Sequence, residues 1–130
     1  MNEDDPDVIA ELLSLHEMYE EALVNNNVPV LDALFWESQK VIRFGATENL
    51  YGVEALRDFR KNRPSAGLQR EVVNLQIRAF GKNHGVTHVE FVRGVNGQIK
   101  TGRQTQCWVR FSTGWRIVSA HVSFLQESQS

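Results

Sequence analysis

The sequence predicts an α+β domain in which three N-terminal helices cover one face of a curved antiparallel sheet. Two observations carry this expectation. Apolar residues recur at helical spacing as far as Pro64, and beyond it they recur every second residue. The second half is also divided by turn signals, among them Asn96-Gly97, whose two residues suit the positive φ angles of a type I′ hairpin.

Asp4, Asp5 and Pro6 open the first helix, with an acidic cap and a proline tolerated in the first turn. Val8, Leu12, Leu15, Tyr19 and Ala22 form its inward stripe, and it should end at Asn25 to Asn27. Pro29 opens a second, shorter helix with Leu31, Leu34 and Phe35 inward. Residues 40–44 are extended in character. A third helix follows Gly52, turns Ala55, Leu56 and Phe59 inward, and stops before Pro64, which disfavours the α conformation in the residue ahead of it. Residues 68–80, 86–93, 99–111 and 115–125 read as four long strands, followed by a polar tail from Gln126 to Ser130.

A chain of 130 residues suffices for one core, so a single domain over 1–130 is expected. The 14 basic residues against 16 acidic ones leave a formal charge of -2. That balance offers no general attraction for phosphate backbones or anionic lipid, so neither a nucleic acid nor a membrane partner is expected. Cys107 stands alone and no apolar signal core follows the acidic start, which fits a cytoplasmic protein. No zinc spacing, phosphate loop, nucleophile elbow or dinucleotide fingerprint is present, and no metal or cofactor is expected.

The polar residues that stand out lie on the last two strands. Gln104, Gln106 and Trp108 share one face by the two-residue period, as do His121 and Ser123 on the next strand. Amides, an indole, an imidazole and a hydroxyl where plain core would suffice point to a small polar pocket inside the fold. Arg43 lies in the apolar run VIRFG, where a guanidinium must be paired or face a wet cavity. It could clamp a carboxylate through two parallel donors or form a buried ion pair with Glu48.

Tyr19, RFGATENLYG at 43–52, RKNRP at 60–64, GRQTQCW at 102–108 and GWRIVSAHVS at 114–123 together resemble the AtzH-like (HpxZ-like) branch of the SnoaL-like, nuclear-transport-factor-2-like superfamily. The resemblance covers roughly residues 8–125. It implies a cone-shaped, cystatin-like fold with a pocket between helices and bent sheet, assembled as a homodimer. Members of the branch are encoded beside amidases that degrade cyanuric acid products or oxalurate. Their best-understood activity is the cofactor-independent decarboxylation of 1,3-dicarboxyurea to allophanate, a lyase step of s-triazine catabolism, so a small carboxylated urea is the implied substrate.

The resemblance further implies that Tyr19 and Arg43 are the catalytic pair, and that the histidine side of the last strand lines the pocket. Gln104, Gln106, His121, Ser123, Glu48 and Trp108 are then candidate substrate-binding residues. Each has a plainer reading. Tyr19 could be core, His121 could brace Tyr19 or a glutamine, the glutamines could sit on an exposed face, and Trp108 could pack in the core or a dimer. Glu48 could serve as a surface or capping residue. Arg57, Arg60, Lys61 and Arg63 read as a solvated basic face, from which Arg63 could reach the pocket mouth. A more distant resemblance of 102–115 and AHVS to the association domain of a calcium/calmodulin-dependent kinase keeps open a non-catalytic, ligand-binding or assembly companion of an amidase.

Overall fold

The computed structural model describes residues 1–126. Its helices are α1 (Pro6–Val24), α2 (Val28–Leu34) and α3 (Val53–Asn62); its strands are β1 (Ile42–Phe44), β2 (Asn49–Tyr51), β3 (Glu71–Phe80), β4 (His84–Val95), β5 (Gln98–Phe111) and β6 (Gly114–Phe124). The polar tail expected from Gln126 onward lies, past Gln126 itself, outside the described residues.

Local chemistry sets the helix ends where the sequence placed them. Asp5 caps α1 by accepting from the Asp7 N–H at 2.9 Å, and Pro6 follows it in the first turn. Asn27 caps α2, and Gly52 enters α3 with φ at 89°, a value that favours glycine. The Asn96-Gly97 turn has both φ angles positive, at 51° and 78°, as a type I′ hairpin requires.

The six strands form one sheet in the order β2-β1-β6-β5-β4-β3. From β3 to β6 it is the expected antiparallel meander. The all-antiparallel expectation is corrected at the other edge, where β1 runs parallel to β6 with Arg43 opposite Ala120 and hairpins back through β2. Three residues per strand are too few to show a period, so β2 carried no signal of its own. Register shifts at Val72/Asn74 and at Cys107/Trp108 interrupt the ladder. Such bulges bend and twist a sheet, and here they lie in the strands that wrap the helices.

The core lies between α1, α2 and the concave face. Val8, Leu12 and Ala22 of α1 and Leu31 and Leu34 of α2 join Trp108, Ile117 and Ala120 in one buried cluster. Toward the far end of α1 this apolar filling gives way to charged side chains. No described helix is long and apolar enough to cross a membrane.

Candidate active site

Between α1, α3, β1 and the concave face of β4 to β6 lies a cavity of about 150 Å³. This is below the ~300–1,000 Å³ of pockets for drug-sized ligands and suits a small metabolite. Tyr19, Arg43, Glu48 and Gln104 all reach its wall, together with Arg63, Arg70 and Arg93. Leu23, Phe59, Leu68, Phe91, Val122 and Phe124 supply an apolar lining.

Tyr19 lies on the buried stripe of α1, one helical turn beyond Leu15 and His16, which puts its ring inside at 3% exposure. The ring packs at a tilt against Phe35, 6.4 Å between centroids. Among the described residues no protein group hydrogen-bonds its hydroxyl.

Arg43 projects from the middle of β1 and its side chain is 13% exposed. Its Nη1 donates to Glu48 Oε1 at 3.1 Å, and the guanidinium lies 5.5 Å from the Phe59 ring centroid. Glu48 Oε2 in turn accepts from the Thr47 hydroxyl at 2.7 Å. Gly45 makes this fold-back possible, since a Cβ there would stand 1.6 Å from Glu48 Oε1. The ion pair with Glu48 and the cavity position are therefore both present at Arg43.

Arg70 precedes β3 and ties the sheet to α1. Its Nε and Nη2 donate to the two Glu20 oxygens at 2.9 and 2.5 Å, and Nη1 donates to Gln104 Oε1 at 3.0 Å. The guanidinium stacks 4.2 Å from the Phe91 ring centroid. Gln104 is thus 5% exposed, with its carbonyl oxygen engaged by Arg70 and its amide nitrogen as the remaining polar end.

The basic face expected on α3 is partly internal. Arg60 is 5% exposed, donates to Asp32 Oδ1 at 2.8 Å and lies 4.4 Å from the Phe35 ring centroid. Arg63 joins the cavity wall, while Arg57 stays outside, paired with Glu37. Burial pushes the pKa of both Arg60 and Arg63 down; Tyr19 opposes this at each, and Asp32 opposes it at Arg60. Both remain charged, because an arginine starts so far above neutrality.

Four of the expected contacts fall elsewhere. His121 is exposed on the convex face, edge-on to Phe44 at 5.7 Å, and Ser123 accepts from Arg103 on that same face at 3.1 Å. Cross-strand register is the reason. Gln104 stands opposite Val122, whereas Thr105 stands opposite His121 and Arg103 opposite Ser123, and directly paired residues project to the same side. The Val122 and Phe124 side of β6 therefore lines the cavity. Trp108 is fully buried in the core and donates from Nε1 to Thr87 Oγ1 at 3.1 Å. Gln106 is 1% exposed, beside Thr87 and off the cavity wall.

The cavity residues missed from the sequence include Arg70, Arg93, Leu68, Phe91, Val122 and Phe124. For Arg93 the signal was present, since Val89, Phe91 and Arg93 share a face by alternation. Among the described residues no group of three His, Cys, Asp or Glu side chains is placed to hold a metal ion.

The AtzH-like family model matches residues 1–128. A protein of unknown function from Pectobacterium atrosepticum is 48% identical, with 95% of each chain covered and a TM-score of 0.91. A cystatin-like fold protein from Burkholderia xenovorans is 32% identical over 98% of this chain and 99% of the other, with a TM-score of 0.90. A nuclear transport factor 2 superfamily protein from Salmonella enterica, 22% identical over 95% of each chain with a TM-score of 0.78, shares the fold. No curated relative matches the chain. Three helices on a bent six-stranded sheet, a cavity between them and a family match over nearly the whole sequence agree: this chain belongs to the AtzH-like family.

Proposed function

We propose that the cavity is the active site of a cofactor-independent decarboxylase that converts 1,3-dicarboxyurea to allophanate and carbon dioxide. The observation that carries this reading is a phenol with no hydrogen-bond partner among the described residues, set beside guanidinium groups in a small cavity. Family membership supports it.

In this reading one carboxylate lies against Val122 and Phe124, where desolvation disfavours the charged group and favours release of neutral carbon dioxide. The N–CO₂ bond breaks and its electron pair passes to the urea nitrogen, delocalised into the adjacent carbonyl. Arg43, held by Glu48, donates to that carbonyl oxygen and stabilises the charge as it develops. The Tyr19 hydroxyl delivers a proton to the nitrogen and is reprotonated from water, so one proton is consumed for each carbon dioxide released. Gln104 holds the urea through its amide nitrogen.

The test is to supply purified protein with dicarboxyurea generated in place by an amidase and to follow carbon dioxide and allophanate. Release well above background, lost in Tyr19→Phe, supports the enzyme. Unchanged background decay, with the protein instead co-purifying with the amidase, would replace it by the companion reading.

A further inference from the structure

The four cavity arginines are not equivalent. Arg43 has Glu48 and Arg70 has Glu20, while Arg63 and Arg93 have no carboxylate partner among the described residues. Arg63 Nε and Nη2 are buried without a hydrogen-bond partner, and so is Arg93 Nε. Arg93 Nη2 donates to the Gly67 carbonyl, which anchors the segment between α3 and β3 that carries Leu68 onto the cavity wall. The Arg63 guanidinium rests against the Phe59 ring, 5.8 Å from its centroid.

A buried guanidinium N–H without an acceptor is costly, and unsatisfied buried donors at a cavity wall call for a ligand that satisfies them. Four guanidinium groups against the two carboxylates of Glu20 and Glu48 leave an excess of two positive charges around the cavity. We propose that Arg63 and Arg93 form a second anion subsite, which holds the carboxylate that the substrate keeps. The choice of that carboxylate rests on the decarboxylase reading; the subsite does not. A planar carboxylate offers two acceptor oxygens to the Arg63 fork and leaves room for Arg93 Nε. With the retained group fixed there, the scissile carboxylate is directed toward Val122 and Phe124 on the cavity wall.

The probe is glutarate, an inert dicarboxylate whose two carboxylates are spaced as in dicarboxyurea, titrated calorimetrically into the intact protein. One-to-one binding is expected, weakened about tenfold or more by Arg63→Gln and by Arg93→Gln, as for loss of a charge-assisted hydrogen bond. Arg63→Lys should lie between, because it keeps the charge and loses the fork. Arg57→Gln, outside the cavity, should leave the affinity unchanged. Thermal melts identify any variant that does not fold, and Arg93→Gln tests the subsite from a different element than Arg63→Gln. Absence of glutarate binding to the wild type, or equal affinity in the wild type and in folded Arg63→Gln and Arg93→Gln, overturns the proposal. Arg63-dependent glutarate binding without carbon dioxide release from dicarboxyurea would keep the subsite and overturn the reaction. Full turnover in both folded variants would keep the reaction and overturn the assignment of the retained carboxylate to Arg63 and Arg93.

Discussion

Glu48 lies on Arg43 with its Oε1 3.1 Å from Nη1, so the arginine expected to receive substrate already carries a carboxylate of the protein's own. The contact orients the guanidinium, and it also places a negative charge on the wall of a cavity proposed to take an anion. Glu48→Gln keeps a hydrogen-bonding oxygen and removes the charge. Glutarate affinity should rise by about tenfold, equivalent to roughly 1.4 kcal/mol of relieved repulsion. Calorimetric titration of wild type and variant checks this; weaker binding in Glu48→Gln would make the ion pair a requirement for the site.

Tyr19→Phe removes one oxygen from a ring whose packing against Phe35 is otherwise unchanged. If the hydroxyl protonates the departing nitrogen, kcat should fall by about 10²–10⁴ while glutarate affinity and thermal stability hold. Comparable losses in kcat and in glutarate affinity would assign Tyr19 to binding instead.

From the sequence, only the family resemblance puts Tyr19 and Arg43 on one pocket; the residues themselves show a tyrosine on an apolar helical stripe and an arginine in an apolar strand, and neither pattern says that the two meet. Glu48 is near Arg43 in sequence and came with it. What alternation within one strand does not contain is how that strand registers with the next. His121 and Ser123 share a face of β6, and the Gln104 stripe shares a face of β5, but only the pairing of Gln104 with Val122 shows that these are opposite faces. Arg70 was hidden for a different reason. Its partner Glu20 is 50 residues away, a contact that exists only after α1 has docked on the sheet. The parallel β1 and β6 pairing is likewise a long-range property of a strand too short to show a pattern.

Arg60 and Asp32 clasp α3 to α2 beneath Tyr19, with the guanidinium 5% exposed and the carboxylate 25% exposed. Asp32→Asn removes the only carboxylate that hydrogen-bonds Arg60 among the described residues and leaves a cation desolvated. Loss of one partner of a buried pair typically costs ~3–5 kcal/mol. Solvent reaches Asp32, so about 2–3 kcal/mol is expected, a fall in Tm on the order of 5–10 °C. Thermal melting near neutral pH measures it, and a change of less than about 1 °C would show that the pair contributes little.

His16 gives stability a pH dependence whose sign follows from its surroundings. It is 5% exposed on α1, and its Nδ1 has no hydrogen-bond partner. Burial pushes its pKa below the ordinary value of 6.5; Glu20 opposes the shift, Arg70 reinforces it and Glu17 opposes it. The folded protein therefore keeps His16 neutral over a pH range in which the unfolded chain binds a proton there. More protons on the unfolded state mean that stability rises with pH. The contribution is complete above about pH 6.5 and is lost as pH falls below it toward the depressed folded pKa. Wild-type Tm should thus decline between pH 7 and pH 5.5, and His16→Leu, which cannot bind the proton, should show a flatter profile over that interval whatever its Tm at pH 7. Parallel profiles in the two proteins would place the acid sensitivity outside His16.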